Sequence, residues 1–148
     1  MSAAVKRVNV KRVYAKPERG DGYRVLVDRL WPRGLKKSAA ELDRWLRELA
    51  PSDELRLWFH ARMDRWLAFR KRYLKELALP QAAEALEELY RLANQRKNLT
   101  LLFASKDEHH NNAVVLKDLL EGMRKPPTGT GRGAVRSMRE RQAKRMLR

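Results

Sequence analysis

Near the start of the chain apolar and polar residues alternate. Val8 and Val10 lie beside Asn9 and Lys11, and this period of two predicts a half-exposed strand over residues 7–14. The turn-rich stretch AKPERGDG (15–22) follows. Then Val25, Leu26 and Val27 are consecutive, so the strand predicted over 23–30 is apolar on both faces and needs cover on both. WPRG ends it. From there the period lengthens. Ser38 to Glu41 reads SAAE, a capping-box pattern, and Leu42, Trp45, Leu46 and Leu49 follow at helical spacing, which predicts a first helix. Ser52 suits the N-cap of a second, with Asp53 and Glu54 in its first turn and Leu55, Trp58 and Phe59 on one face. Trp66, Phe69, Tyr73 and Leu77 form the stripe of a third. Pro80 opens a fourth, running through Leu86, Leu89, Tyr90 and Ala93. NLTLLFAS (98–105) is a second nearly continuous apolar run of strand length, ended by KDEHHNN, and a fifth helix carries Ala113, Leu116 and Leu120.

The order strand, strand, several helices, strand, helix predicts the α/β class. The expected domain is small and three-layered, with a short, mostly parallel sheet of about three strands and about five helices. The long helical crossover makes the strands at Val25 and Leu101 parallel; the short first connection leaves the direction of the first strand open. Residues 1–122 are read as one α/β domain. The Pro/Gly-rich stretch 123–133 reads as a linker. Residues 134–148 form a basic tail whose apolar stripe (Val135, Met138, Met146) is thin, so a helix there is marginal on its own.

Charge sharpens this division. The net charge is +16. Residues 1–122 hold 25 Lys or Arg against 17 Asp or Glu, whereas residues 123–148 hold 9 against 1, so the last 26 residues carry half the excess. Such a balance points to an anionic partner. In the tail, Arg132, Arg136, Arg139, Arg141, Lys144, Arg145 and Arg148 are the expected contacts to DNA or RNA. The chain has no cysteine, which excludes disulfides, thiolate zinc sites and thiol catalysis. His109 and His110 are adjacent, so on a helix they point about 100° apart and do not share a metal; no metal and no cofactor are expected. MSAAVKRVNV lacks the apolar centre of a signal peptide, and no stretch approaches the roughly 18 apolar residues of a membrane span. A cytoplasmic location without a membrane partner is expected.

Open α/β sheets bind ligands where the carboxyl ends of parallel strands meet their loops. If the two apolar strands are neighbours, one delivers Asp28, Arg29, Trp31 and Arg33 to that place. The other delivers Ser105, Lys106, Asp107, His109, His110, Asn111 and Asn112. Arg29, Arg33 and Lys106 supply positive charge, and the amides at the helix start near Asn111 add an anion-binding pole. Trp31 offers a stacking face, and Asp107 or His110 could move a proton. Each residue also has a plainer role. Asp107 is placed to be the N-cap of the last helix. Asp28 and Arg29 can pair with each other or with neighbouring strands. Trp31 can be core. His60, after LWF, suits a helix end. Phosphate-loop, dinucleotide and hydrolase-elbow motifs are absent. The residues favour binding of an anionic ligand, whether nucleic acid, nucleotide or another phosphate-bearing molecule. The alternative is a small hydrolase or transferase acting on a phosphorylated or carboxylated substrate, with Asp107 and His110 as catalytic acid and base.

Four separated blocks, DGYRVLVDRLWPRG, LAPSDELRLWF, RWLAFRKRYLKEL and LTLLFASKDEHHNNAVVL, together resemble the YeaO-like branch of domain-of-unknown-function family 488. The resemblance runs from about Val8 to Leu120. It implies a small bacterial or archaeal cytoplasmic α/β protein and brings no activity with it. The family's Asp-Arg-Leu-Trp-Pro-Arg-Gly run is matched by Asp28 to Gly34, and its Lys/Arg-Asp-x-x-His-Asn run by Lys106, Asp107, His110 and Asn111. Where the family commonly has Trp-Phe-Gly-His-Asp, this chain has Trp58, Phe59, His60, Ala61 and Arg62, so the histidine is displaced and the acid has become basic.

Overall fold

The two apolar runs do become neighbours. In the computed structural model, which describes residues 7–96 and 98–122, β1 (Arg7–Arg12), β2 (Tyr23–Leu26), β3 (Arg44–Trp45) and β4 (Asn98–Phe103) form one sheet in the order β1-β4-β2-β3. Every pairing is parallel, including β1 with β4, in register from Arg7↔Asn98 to Arg12↔Phe103. The direction of the first strand is thereby fixed. The helices are α1 (Lys37–Ala40), α2 (Asp53–Ala61), α3 (Trp66–Leu77), α4 (Ala83–Gln95) and α5 (Asn112–Gly122). The linker 123–133 and the tail cations Arg132, Arg136, Arg139, Arg141, Lys144, Arg145 and Arg148 lie outside the described residues.

The period-two rule divides the sheet's two faces unequally. Val8, Val25, Val27, Leu99, Leu101 and Phe103 belong to the main core with the buried residues of α2, α3, α4 and α5. Leu26, Leu102 and Val13 form a smaller cluster, covered by Trp31, Leu35, Leu42 and Trp45. A fully buried Leu or Phe is worth about 1.5–3 kcal/mol, so the large cluster provides most of the hydrophobic stabilisation. The small one seals the other face with loop side chains and the single turn of α1.

Two expectations about that covering segment are corrected. The helix predicted from Ser38 through Leu49 does not form. α1 stops at Ala40, and Glu41 takes a left-handed backbone (φ 47°) that ends it. Its N-cap is Lys36, so Ser38 lies inside the turn and the SAAE box is unused. The following residues instead pair with β2. Asp43 N–H donates to Arg24 O (2.9 Å), the Asp43 carboxylate accepts from Arg24 N–H (2.8 Å), and Leu46 N–H donates to Leu26 O (2.9 Å). The sheet thus has a fourth strand, two residues long. Leu46 and Leu49 are buried as their apolarity demands, but from the residue that follows the edge strand and from a 3-10 turn (Arg47–Leu49).

α2 begins where expected, whereas Pro80 opens a 3-10 turn (Pro80–Ala82) ahead of α4 and α5 starts only at Asn112. Ser52 caps α2, its Oγ accepting from Leu55 N–H (3.1 Å), and Glu76 of α3 holds Ser52 in turn through its N–H (2.8 Å) and Oγ (2.6 Å). The Tyr73 hydroxyl donates to Leu49 O, and burial raises its pKa well above the ordinary tyrosine value. Among the described residues no helix is long and apolar enough to cross a membrane.

Candidate functional site

β2 and β4 lie side by side, and their outgoing connections part. The chain leaving β2 covers the small cluster, whereas the chain leaving β4 enters α5 in the main core. Such a divergence opens a crevice beyond the carboxyl ends of the two strands. A cleft of about 620 Å³ lies there, with Asp28 to Arg33 on one wall and Ala104, Ser105, His110, Asn111 and Asn112 on the other. The two polar clusters expected to converge meet here in part: Ser105, His110, Asn111 and Asn112 line the cleft, and Lys106, Asp107 and His109 do not.

Asp28 ties the walls together. Its carboxylate accepts from Ala104 N–H (2.9 Å) and from Asn112 Nδ2 (3.0 Å), and Asn112 Nδ2 also donates to Val27 O (3.0 Å). Asp28 therefore pairs with the end of β4 and the start of α5, not with Arg29. Burial raises its pKa, against the hydrogen bonds from Asn112 and Ala104 and the charges of His60 and Arg56. Burial is also the main cause that lowers the pKa of His60, followed by the Arg56 charge, with Asp28 opposing.

The other wall is built from successive turns. Asn111, not Asp107, is the N-cap of α5, its Oδ1 accepting from Val114 N–H (3.1 Å). Asp107 caps the turn before it. Oδ1 accepts from His109 N–H and His110 N–H (both 2.9 Å), and Oδ2 lies 3.1 Å from His110 Nδ1. Burial pulls the Asp107 carboxyl upward, but those bonds outweigh it and hold the group below the usual range. Asn111 Nδ2 donates to Asp107 O (2.9 Å), so the two caps are linked. The His110 ring meets Trp66 edge-on at 5.1 Å between centroids. DEHHNN offers several side chains able to cap, and spacing alone could not select Asn111.

The remaining predicted residues divide. Trp31 is on the wall but is also packing: its Nε1 donates to Leu35 O (2.6 Å) and it meets Trp45 edge-on at 5.5 Å. Arg33 is exposed, and its side chain makes no ion pair among the described residues; its carbonyl accepts from the Tyr14 hydroxyl (2.8 Å). Arg29 Nη2 donates to Pro51 O at 3.4 Å, and its Nε lies 3.9 Å from Asp53 Oδ1. Lys106 is exposed and, with Asp107, stands off the wall. The sequence pattern does not single out Arg56 or Tyr14, and it marks His60 only as a helix end. His60 is in the last turn of α2, but it also lines the cleft. One signal was present: Arg56 and His60 are four apart on a helix and so share a face.

The wall thus carries the guanidinium groups of Arg29, Arg33 and Arg56, beside the rings of His60 and His110, and one carboxylate among the described residues, Asp28, whose oxygens are already engaged. This arrangement can hold an anion.

Comparison with known proteins identifies relatives by sequence. The model of DUF488-N3i, described as the inactive DUF488-N3 subclade, matches residues 7–131. The uncharacterized protein YeaO of Escherichia coli K12 is 45% identical over 118 residues, covering 78% of this chain and 98% of that protein. The uncharacterized protein Rv3073c of Mycobacterium tuberculosis H37Rv is 40% identical over 116 residues, covering 78% of this chain and 95% of its own. No solved structure matches.

Proposed function

Because this chain belongs to the inactive DUF488-N3 subclade of YeaO-like proteins, we propose that it works by binding: it takes a phosphate-bearing ligand into the cleft beyond β2 and β4. The charge of that wall carries the reading. Arg29, Arg33 and Arg56 are fork-shaped donors suited to phosphate, and the cleft's volume falls in the roughly 300–1,000 Å³ range of small-ligand sites. The basic tail adds a separate, sequence-independent attraction to DNA or RNA, consistent with a cytoplasmic protein that meets both.

Titration of the full chain with inorganic phosphate tests the cleft. Arg29→Gln with Arg33→Gln should weaken binding by about tenfold or more, as loss of charge-assisted bonds implies; unchanged affinity rejects the site. Duplex DNA tests the tail. Removing residues 124–148 should flatten the fall of log K with log salt, because fewer phosphates release counterions. It should leave phosphate binding intact. An unchanged slope rejects the tail's role.

A second reading, a small hydrolase or transferase, rests on one observation. Asp107 holds His110 by Nδ1, which leaves Nε2 as the nitrogen available for proton transfer. On that reading His110→Gln should lower turnover of p-nitrophenyl phosphate by about a hundredfold. Equal turnover removes His110 from any mechanism.

A further inference from the structure

At the rim of the cleft one carboxylate oxygen sits between two wall arginines. Asp53 Oδ1 is 3.9 Å from Arg29 Nε and 3.7 Å from Arg56 Nη2. Both separations exceed the roughly 2.7–2.9 Å of a formed charge-assisted bond. The Asp53 side chain is 62% exposed and begins α2, so it can swing into solvent without disturbing the core. Arg56 also keeps its Nε buried with no hydrogen-bond partner among the described residues. Two guanidinium groups therefore share a loosely held internal counter-ion and have donor capacity to spare.

We infer that Asp53 is a built-in competitor at an anion subsite formed by Arg29 and Arg56, and that the ligand displacing it is a dianionic, terminal phosphate monoester. The inference rests on the anion-binding reading of the cleft. A tethered carboxylate lowers the affinity of every incoming anion by the same competition, because its effective concentration is high. A carboxylate ligand offers the arginines the single charge they already have. A phosphate monoester carries about −1.5 to −2 charges at pH 7 and three acceptor oxygens. It can replace Asp53 and engage both forks. An internal phosphodiester carries one charge, so the nucleic-acid backbone belongs to the tail and a terminal phosphate to the cleft.

The test uses the full chain with phenyl phosphate and benzoate, which share a ring and differ in the anion. The wild-type protein should prefer phenyl phosphate by roughly tenfold or more. Asp53→Asn should tighten binding of both probes by about fivefold, the scale of two weak exposed ion pairs. Glu54→Gln, an equal change in net charge at the neighbouring exposed residue, should give a much smaller gain. In an Arg29→Gln, Arg56→Gln background the gain from Asp53→Asn should vanish. Equal wild-type affinity for the two probes overturns the choice of a dianion. An unchanged or weakened Asp53→Asn protein, or one matched by Glu54→Gln, overturns the competitor. Failure of both probes to bind either protein rejects the cleft reading itself.

Discussion

Gly22→Ala is expected to remove about 4 kcal/mol or more of stability, most of what a domain of this size has. Gly22 joins the turn over Arg19–Asp21 to β2 with φ 67° and ψ −135°, a conformation open to glycine and costly for a residue with a Cβ. Space compounds the strain. A Cβ there would lie 2.6 Å from Asn98 Cβ and 2.8 Å from the Asn98 carbonyl carbon, at the first residue of β4. β4 is held between β1 and β2 and cannot retreat. Gly20 is the control, since a Cβ there meets nothing within 4 Å and the cost should be small. Urea denaturation of both variants measures the contrast. A loss below about 1 kcal/mol for Gly22→Ala would contradict the packing described.

Arg24→Met should cost about 3 kcal/mol, the scale of leaving two buried carbonyl acceptors without donors at about 1–3 kcal/mol each. Arg24 is 4% exposed on the sheet face opposite the main core. Nη1 pairs with Asp21 Oδ2 (2.5 Å), Nη2 donates to Ala40 O (2.8 Å) and Nε to Glu41 O (3.1 Å). Methionine would fill much of the volume yet leave the carbonyls at the end of α1 without donors. Asp21 would keep Lys11, 3.0 Å away, and the Glu18 amide (3.0 Å). The acid limb should change too. Burial raises the Asp21 pKa, but bonds from Glu18 N–H, Lys11 and Arg24 prevail and hold it below the ordinary 3.8. A depressed folded pKa contributes stability that is present above the unfolded value and lost as pH falls through the folded one. The wild-type protein should therefore lose this contribution below about pH 4, and Arg24→Met should lose less of it there. Equal pH slopes would separate Arg24 from the titration of Asp21.

Most of this architecture is legible in the chain, for identifiable reasons. Val25, Leu101 and their neighbours form runs apolar on both faces, and the long crossover between them leaves one direction for the pair. The polar clusters attached to those runs therefore had to meet. β3 was hidden because Leu42, Trp45, Leu46 and Leu49 also satisfy a helical period. What defeats the helix is non-local: Asp43 binds the Arg24 backbone from both its amide and its carboxylate. Arg56 was hidden because which helix face lines a cleft depends on how α2 lies on the sheet, and charge alone marks only a solvated surface. Asp28 was legible as a site residue, but its partners, the Ala104 amide and Asn112, lie 76 and 84 positions away and no local pattern announces them.

The central claim is that an anion enters between the ends of β2 and β4. Backbone amide chemical shifts of the full chain, followed while inorganic phosphate is added, test it most directly. Shifts that saturate together at residues 28–34, 53–60 and 104–112 are predicted, with those of the outer face of α4 unmoved. Shifts confined to residues 123–148, or none in the three cleft segments, would contradict it.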